Sequence, residues 1–385
     1  MTRPPTPPLL TEIGIRRRLD RAVPSLLLVA LAVTSIVFST DDLTKTVGTM
    51  QRNLSPADSQ SRNTYDLLRD VSDLPVDTSV DIPYFWHIHK SAGSTMKHIL
   101  YCMGRAQTRR VSSQECMDTD SELRTCRQDF GFGMSKNVIN VDASSVPGIR
   151  RAAELRLANM TFPDLDRDGK EFVVATSRVN EAMAILTPER RGRLFALFRH
   201  PVDRAVSKYH YIKIATWERN YRPELANLTL AEFATSRYCY NNWVTRRLVH
   251  KMTGELVAED LEAAKDVLRK KILVLLTNDI PGAADRVRRY FGWDSLDLTV
   301  EQENCLQTHI YDEPMNANPH PPLDSNSAEW DAIRSRNLYD IELMSLAQEL
   351  YEQQGKMLAS GGMDSGGGGG GIRGAVEESL VVTPS

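Results

Sequence analysis

Ile82-Pro83-Tyr84-Phe85-Trp86-His87-Ile88, followed by His89-Lys90-Ser91-Ala92-Gly93-Ser94-Thr95 and then Met96 to Cys102, is the stretch on which the fold turns. Its first part is an apolar run of strand length and reads as a buried strand; its last part reads as the start of a helix. The loop between them is built from small residues. A strand, a short loop and a helix in that order aim backbone N–H groups and a helix N-terminus at an anion. Lys90 adds a point charge, and Ser91, Ser94 and Thr95 add hydroxyl donors. The order G-x-x-x-x-G-K-[ST] is absent, because the lysine opens the loop and Gly93 is its only glycine. An ordinary nucleotide-triphosphatase loop is therefore not what these residues spell. Taken alone, such a loop serves equally well as a plain turn.

A second constellation lies about a hundred residues on. Arg193-Leu194-Phe195-Ala196-Leu197-Phe198-Arg199 reads as a core strand, and His200-Pro201 opens a helix running through Ser207 to Tyr209. Proline suits the first helical position, where its missing N–H would have no partner anyway. Arg199 then stands at the carboxyl end of a strand, where open α/β sheets bind ligands, and Ser207 lies one to two turns into the helix. Both can grip one phosphate, Arg199 through its fork of donors. By itself Arg199 could equally be a structural arginine closing a buried strand.

Together the two motifs resemble the 5′-phosphosulfate loop and the 3′-phosphate site of sulfotransferases that use 3′-phosphoadenosine 5′-phosphosulfate (PAPS). The wording H-K-S-A-G-S-T-M-K-H-I-L is most similar to membrane-anchored Golgi carbohydrate sulfotransferases of the galactose 3-O and heparan sulfate 2-O kind, in particular an algal branch. Asn241-Asn242-Trp243-Val244-Thr245-Arg246 resembles that family's N-N-x-x-T-R segment. Tyr290-Phe291-Gly292-Trp293 resembles the F-G-W end of one of its helices, and Leu338 to Gln353 its last helix. The similarity covers most of residues 81–354. It implies an α/β fold, a P-loop-type parallel sheet flanked by helices. Lys90 would contact the phosphosulfate and stabilise charge on the leaving oxygen. Ser91, Ala92, Gly93, Ser94 and Thr95 would cradle it, and Arg199 and Ser207 would hold the 3′-phosphate. The implied partner is a glycan or glycoconjugate acceptor. Sulfuryl transfer is an in-line displacement that rests on positioning and electrostatics, so no metal is needed, and no Cys/His zinc spacing is evident.

The resemblance breaks at the base. Heparan sulfate 2-O relatives carry a histidine between the two phosphate motifs, whereas this chain has none between His98 and His200. Glu181, just after the expected strand Phe172–Ala175, is the leading substitute. Asp142, after the expected strand Val138–Val141, follows, with His98 and His89 behind. Two other readings stay open. One is a P-loop kinase or NTPase with Asp142 as a metal-binding carboxylate. The other is a non-catalytic binder of PAPS or sulfated glycan. The basic clusters Arg109-Arg110, Arg150-Arg151, Arg190-Arg191-Arg193 and Arg286-Arg288-Arg289 are candidates for lining an anionic-glycan groove, or are simply solvated faces.

The 385 residues carry 47 Lys plus Arg against 50 Asp plus Glu, a net charge of −3, with 41% hydrophobic content. That balance excludes a mostly disordered chain and argues against a dedicated nucleic-acid binder. Residues 22–40, AVPSLLLVALAVTSIVFST, are long enough to span a bilayer core of roughly 30 Å. Arg16, Arg17, Arg18 and Arg21 precede them and Asp41 and Asp42 follow, which points to a type II signal anchor with a cytosolic tail over 1–21. A cleaved signal peptide is the alternative. Sequons at Asn53, Asn159 and Asn227, and five cysteines beyond the anchor, suit a lumenal and, by the resemblance, Golgi setting. Five is odd, so at most two bridges form; Cys116 with Cys126 would close a short loop, but spacing does not settle connectivity. Residues 41–80 read as a flexible stem, 81–354 as the single lumenal domain, and 355–385 as a glycine-rich disordered tail.

Overall fold

The computed structural model describes residues 65–361 except 114–115, 118–120, 130–134, 166–170, 217, 219–220, 295–296 and 313–318. The tail over 1–21, the anchor over 22–40, most of the stem and the end of the glycine-rich tail lie outside the described residues. Among those described, no helix is long and apolar enough to cross a membrane.

A seven-stranded sheet is the spine. Its strands in chain order are β1 (Asp81–Trp86), β2 (Ala106–Arg109), β5 (Thr125–Asp129), β6 (Ser135–Asn140), β7 (Phe172–Thr176), β8 (Arg191–Phe198) and β9 (Ile272–Leu276), while β3 (Ser112–Ser113) and β4 (Cys116–Met117) form a separate small hairpin. The spatial order is β5-β6-β2-β7-β1-β8-β9, parallel throughout except for β5 at the edge. Side chains alternate between two cores, which is why the strands read as continuous apolar runs. Tyr84, Trp86, Leu194, Ala196 and Val274 face one side, covered by α2 (Val146–Glu154), α6 (Ala258–Lys271) and α10 (Leu338–Gly361). Phe85, Phe195, Leu197 and Leu273 face the other, covered by α1 (Gly93–Cys102), α7 (Ile280–Tyr290) and α8 (Val300–Gln307). The expected α/β sheet flanked by helices is present.

The topology places the ligand edge. From β1 the chain leaves through α1 toward β2, on one side of the sheet; from β8 it leaves through α3 (Pro201–Ile214) toward β9, on the other. Adjacent strands whose connections part in opposite directions leave a crevice at their carboxyl ends. Both sequence motifs open onto it.

The domain is longer than 81–354. Tyr65, Leu68 and Val71 are buried, and the Tyr65 hydroxyl donates to Asn180 Oδ1 and to the Leu248 carbonyl, so residues 65–80 pack as part of the fold rather than as stem. At the far end α10 continues to Gly361, where the expected tail was placed from 355, because Gly355 and Leu358 still lie against Arg286 and the α7 side of the core. Sparse apolar spacing hid both extensions.

Two short helices complete the crevice, α4 (Leu230–Thr235), begun by a Thr229/Glu232 capping box, and α5 (Trp243–Leu248); α9 (Ala328–Ser335) precedes α10. The N-N-x-x-T-R segment and the last helix, distant in sequence, meet here. Asn242 adopts left-handed backbone, and its side-chain carbonyl accepts from the Tyr339 and Asp340 N–H groups. Asp340, buried, accepts from the Val244 and Thr245 N–H groups, from Thr245 Oγ1 and, at 2.9 Å, from Arg204 Nη2 of α3. Removing one partner of such a pair strands the other charge. Asp340→Ala should therefore cost about 3–5 kcal/mol in urea denaturation. A loss below about 1 kcal/mol would show that Arg204 finds another acceptor.

Candidate functional site

The loop after β1 is pinned before it turns: the His87 N–H donates to the Thr176 carbonyl at the end of β7, 2.7 Å away. Lys90 and Ala92 then take left-handed backbone, with φ of 64° and 50°. For residues with a Cβ this conformation is strained, and it persists only where the surroundings impose it. Here it curls the chain so that Ala92 caps α1 without a side-chain bond. Gly93 contributes space rather than an unusual φ, since a Cβ there would sit 1.9 Å from the His87 ring. The Ser91 hydroxyl is buried with no hydrogen-bond partner among the described residues. A buried orphan hydroxyl carries a desolvation cost unless something outside the fold pairs with it. Thr95 is buried in the first turn of α1, and the Ser94 carbonyl accepts from His98 Nδ1.

Arg199 closes the crevice from β8. Its Nη1 donates to the Lys90 carbonyl at 3.3 Å, so the two motifs meet directly. Lys90 Nζ lies 3.7 Å above the centre of the Tyr211 ring. Burial pushes the Lys90 amine down to about 8, with the Arg199 charge adding to the shift and Glu218 opposing it. Burial likewise lowers Arg199, against the pull of Asp203. Two cations held together and partly dehydrated are stabilised by an anion between them. Ser207 lies two turns into α3 on its buried face.

Next to the loop opens a cavity of about 560 Å³ whose wall includes His89, Lys90, Lys208, Tyr211, Tyr240 and Trp243. Arg222, Arg237 and Arg246 also reach it, against Glu218 as its acidic member. Lys208 donates to the Tyr238 carbonyl, sits 4.1 Å above the Tyr240 ring, and is lowered to about 8, chiefly by burial. His89 packs edge-on against Trp243 at 5.7 Å, and burial, reinforced by Lys208, Arg204, Arg247 and Lys97, holds it down at about 4. Its imidazole is neutral at pH 7.

The base candidates separate by environment. Glu181 opens a short 3₁₀ turn after β7, where Arg247 Nη1 lies 3.2 and 3.4 Å from its oxygens and Arg178 Nη1 3.3 Å from one of them. Burial raises its pKa, but a backbone hydrogen bond and the charges of Arg247 and Arg178 outweigh it and leave it below the usual carboxylate value. A carboxylate stabilised as the anion is a poor proton acceptor. Asp142 accepts from the Ser144 N–H and hydroxyl and shapes the turn into α2. His98 faces Tyr101 and His309 rather than the cavity. Only His89 combines a neutral side chain with a place in the cavity wall.

Strand order bears on the kinase reading. The strands flanking β1 run on into Thr176-Ser177-Arg178 and Phe198-Arg199-His200, and neither end carries a carboxylate. Asp142 follows β6, three strands from β1, roughly 14 Å across at the usual strand spacing.

The basic clusters picked out in the sequence are mostly structural. Arg193 pairs with buried Asp81 at 2.8 Å, Arg190 donates to the Ala158 and Thr78 carbonyls, Arg286 to that of Tyr351, and Arg151 to those of Asn140 and Glu122. The cations that reach the cavity besides Lys90, namely Lys208, Arg222, Arg237 and Arg246, form no run. The available signals were the three-residue spacing of Lys208 and Tyr211 after the Arg199 motif and the place of Arg246 in the N-N-x-x-T-R segment. Comparison with protein-family models and with curated protein sequences returned no match.

Proposed function

We propose that this chain is a sulfotransferase of P-loop type, moving a sulfuryl group from PAPS to a hydroxyl of a carbohydrate or glycoconjugate. The observation that carries the reading is the contact of Arg199 with the Lys90 carbonyl across the β1/β8 crevice, which joins the two anion-binding motifs into one site. The Ser91 hydroxyl, the loop after β1 and the N-terminus of α1 suit the 5′-phosphosulfate; Arg199 and Ser207 suit the 3′-phosphate that distinguishes PAPS from ATP. The excess of cations around the adjoining cavity favours an acceptor that is itself anionic, and its aromatic walls offer surfaces for a sugar ring.

In the reaction the acceptor oxygen attacks sulfur as the bond from sulfur to the phosphate oxygen breaks. Lys90 stabilises the negative charge left on that phosphate. His89 takes the acceptor proton, a role the neighbouring phosphates favour by raising its basicity from the low value that burial and the surrounding cations impose. Glu181 holds Arg247, whose guanidinium lies 5.5 Å from the Trp243 ring, and so acts on the cavity wall. The setting we propose is the Golgi lumen, behind an anchor at 22–40. The disulfides Cys102–Cys305 and Cys116–Cys126 support an oxidising compartment.

With PAPS and a panel of glycans, transfer should be abolished in Lys90→Ala with the fold retained by circular dichroism. Phosphate transfer from ATP and magnesium would instead establish the kinase reading, and binding of the 3′,5′-bisphosphate without turnover the non-catalytic one. His89→Ala should lower kcat by about 10²–10⁴-fold, whereas Glu181→Gln should keep turnover within about tenfold; the reverse pattern would restore Glu181 as base.

Bisphosphate affinity should also depend on pH. Below about 8 Lys90 is already protonated in the free protein. Above it, binding must draw a proton from solvent, because the bound phosphate raises the lysine pKa. Affinity should therefore fall as pH rises past 8, by up to about tenfold per unit for one proton. A titration series by calorimetry that stayed flat from pH 7 to about 9.5 would remove Lys90 from the phosphate site.

A further inference from the structure

On the face of α1 away from the loop, a second chemical cluster is assembled from two helices. His98 and Cys102 are four residues apart on α1, and Cys305 and His309 are four apart where α8 runs into the single π turn Thr308–Asp312. That spacing puts each pair on one face of its helix. The ligand atoms of Cys102, Cys305 and His309 all lie within 4.8 Å of one another, and the rings of His98 and His309 are 5.1 Å apart. In the structure the two sulfurs are joined as a disulfide. The pattern was missed in the sequence because its halves, H-x₃-C and C-x₃-H, are 203 residues apart cysteine to cysteine.

We infer that His98, Cys102, Cys305 and His309 form a binding site for a zinc-class divalent ion in the dithiol state of the chain. Two thiolates and two imidazoles are the donor set that zinc takes in closed tetrahedral sites. His98 is the outermost of the four, with its ring 5.1 Å from that of His309 and outside the group of three. Its Nδ1–H donates to the Ser94 carbonyl at 2.9 Å, which leaves the Nε2 lone pair for a metal, the arrangement seen around metal-bound histidines. A π turn at the second histidine fits as well, since such turns gather at functional sites. Cys102 and His309 are buried, so the centre would be shielded from solvent.

The disulfide and the metal are alternative closures of one joint. A phosphine opens the disulfide by taking an oxygen from water, becoming a phosphine oxide and leaving two thiols. The ion then displaces both thiol protons to solvent and accepts the two imidazole lone pairs, giving a centre of zero net charge. Either closure ties α1, whose N-terminus carries Gly93 to Thr95, to α8.

The test uses the full chain, reduced with a phosphine, freed of it without air, and titrated with Co²⁺ alone and then Zn²⁺. Expected are the visible bands of tetrahedral cobalt with thiolate charge transfer in the near ultraviolet, lost on adding Zn²⁺ and absent in the oxidised chain. His309→Ala leaves the disulfide intact, so its oxidised form reports folding by circular dichroism. Its reduced form should bind Co²⁺ at least about tenfold more weakly. The variant Cys116→Ser/Cys126→Ser/Cys239→Ser should bind as wild type does. No cobalt–thiolate bands in the reduced chain, equal binding by the oxidised chain, or bands that vanish with the second variant but survive His309→Ala would each overturn the assignment.

Discussion

The carboxylate of Asp340 is the point through which the crevice is held in shape. It lies at the start of α10, deep in the fold, and accepts from two backbone N–H groups at the head of α5, from one hydroxyl there, and from the guanidinium of Arg204 on α3. A buried carboxylate left with fewer donors would be costly, and a buried guanidinium left without it more so. Satisfying both forces three elements from separate parts of the chain into one register. Trp243 then stands beside His89, and the outer turns of α3 present Lys208 and Tyr211 to the same cavity. The walls of the site are thus set by a buried polar joint.

The floor of the site works the other way. Where Asp340 collects cations and donors until its charge is met, the loop after β1 and the end of β8 bring Lys90 and Arg199 together. Both are shifted down by burial, and Lys90 also by its neighbour's charge. Elsewhere three buried arginines are matched with carboxylates, Arg193 with Asp81, Arg105 with Glu171 and Arg204 with Asp340, while Arg190 and Arg286 are held by backbone carbonyls. That contrast supports the proposal that the crevice takes an anion from outside.

The strands over 82–88 and 193–199 were legible because a central parallel strand is buried on both faces and becomes an unbroken apolar run. The loop and the Pro201 helix start were legible because small residues and proline carry their own backbone preferences. Strand order was not, since a run says that a strand is buried but not beside what. The packing of 65–80 depends on Tyr65, Leu68 and Val71 fitting between later elements, which no local period reveals. Charge was the most misleading guide. Arg190, Arg193 and Arg286 look like surface clusters yet are tied to carbonyls and to Asp81, while Arg222, Arg237 and Lys208 look unremarkable and reach the cavity. Glu181 is a candidate base from its place after β7, and only the structure shows the contacts with Arg247 and Arg178 that favour its carboxylate form. Cys239 is the unpaired thiol, and Cys102 finds its partner across most of the domain.

The missing Cβ of Gly93 has one more effect. With the His87 ring filling the space where a side chain would be, the loop lies tight against its own strand, beside the left-handed turns at Lys90 and Ala92. The loop's conformational freedom is therefore surrendered when the chain folds and not when a ligand arrives. A flexible loop of the same composition would have to order several residues at the moment of capture, each costing about 1–2 kcal/mol of backbone entropy. Here that cost belongs to folding stability and would not be subtracted from the affinity for the anion we propose.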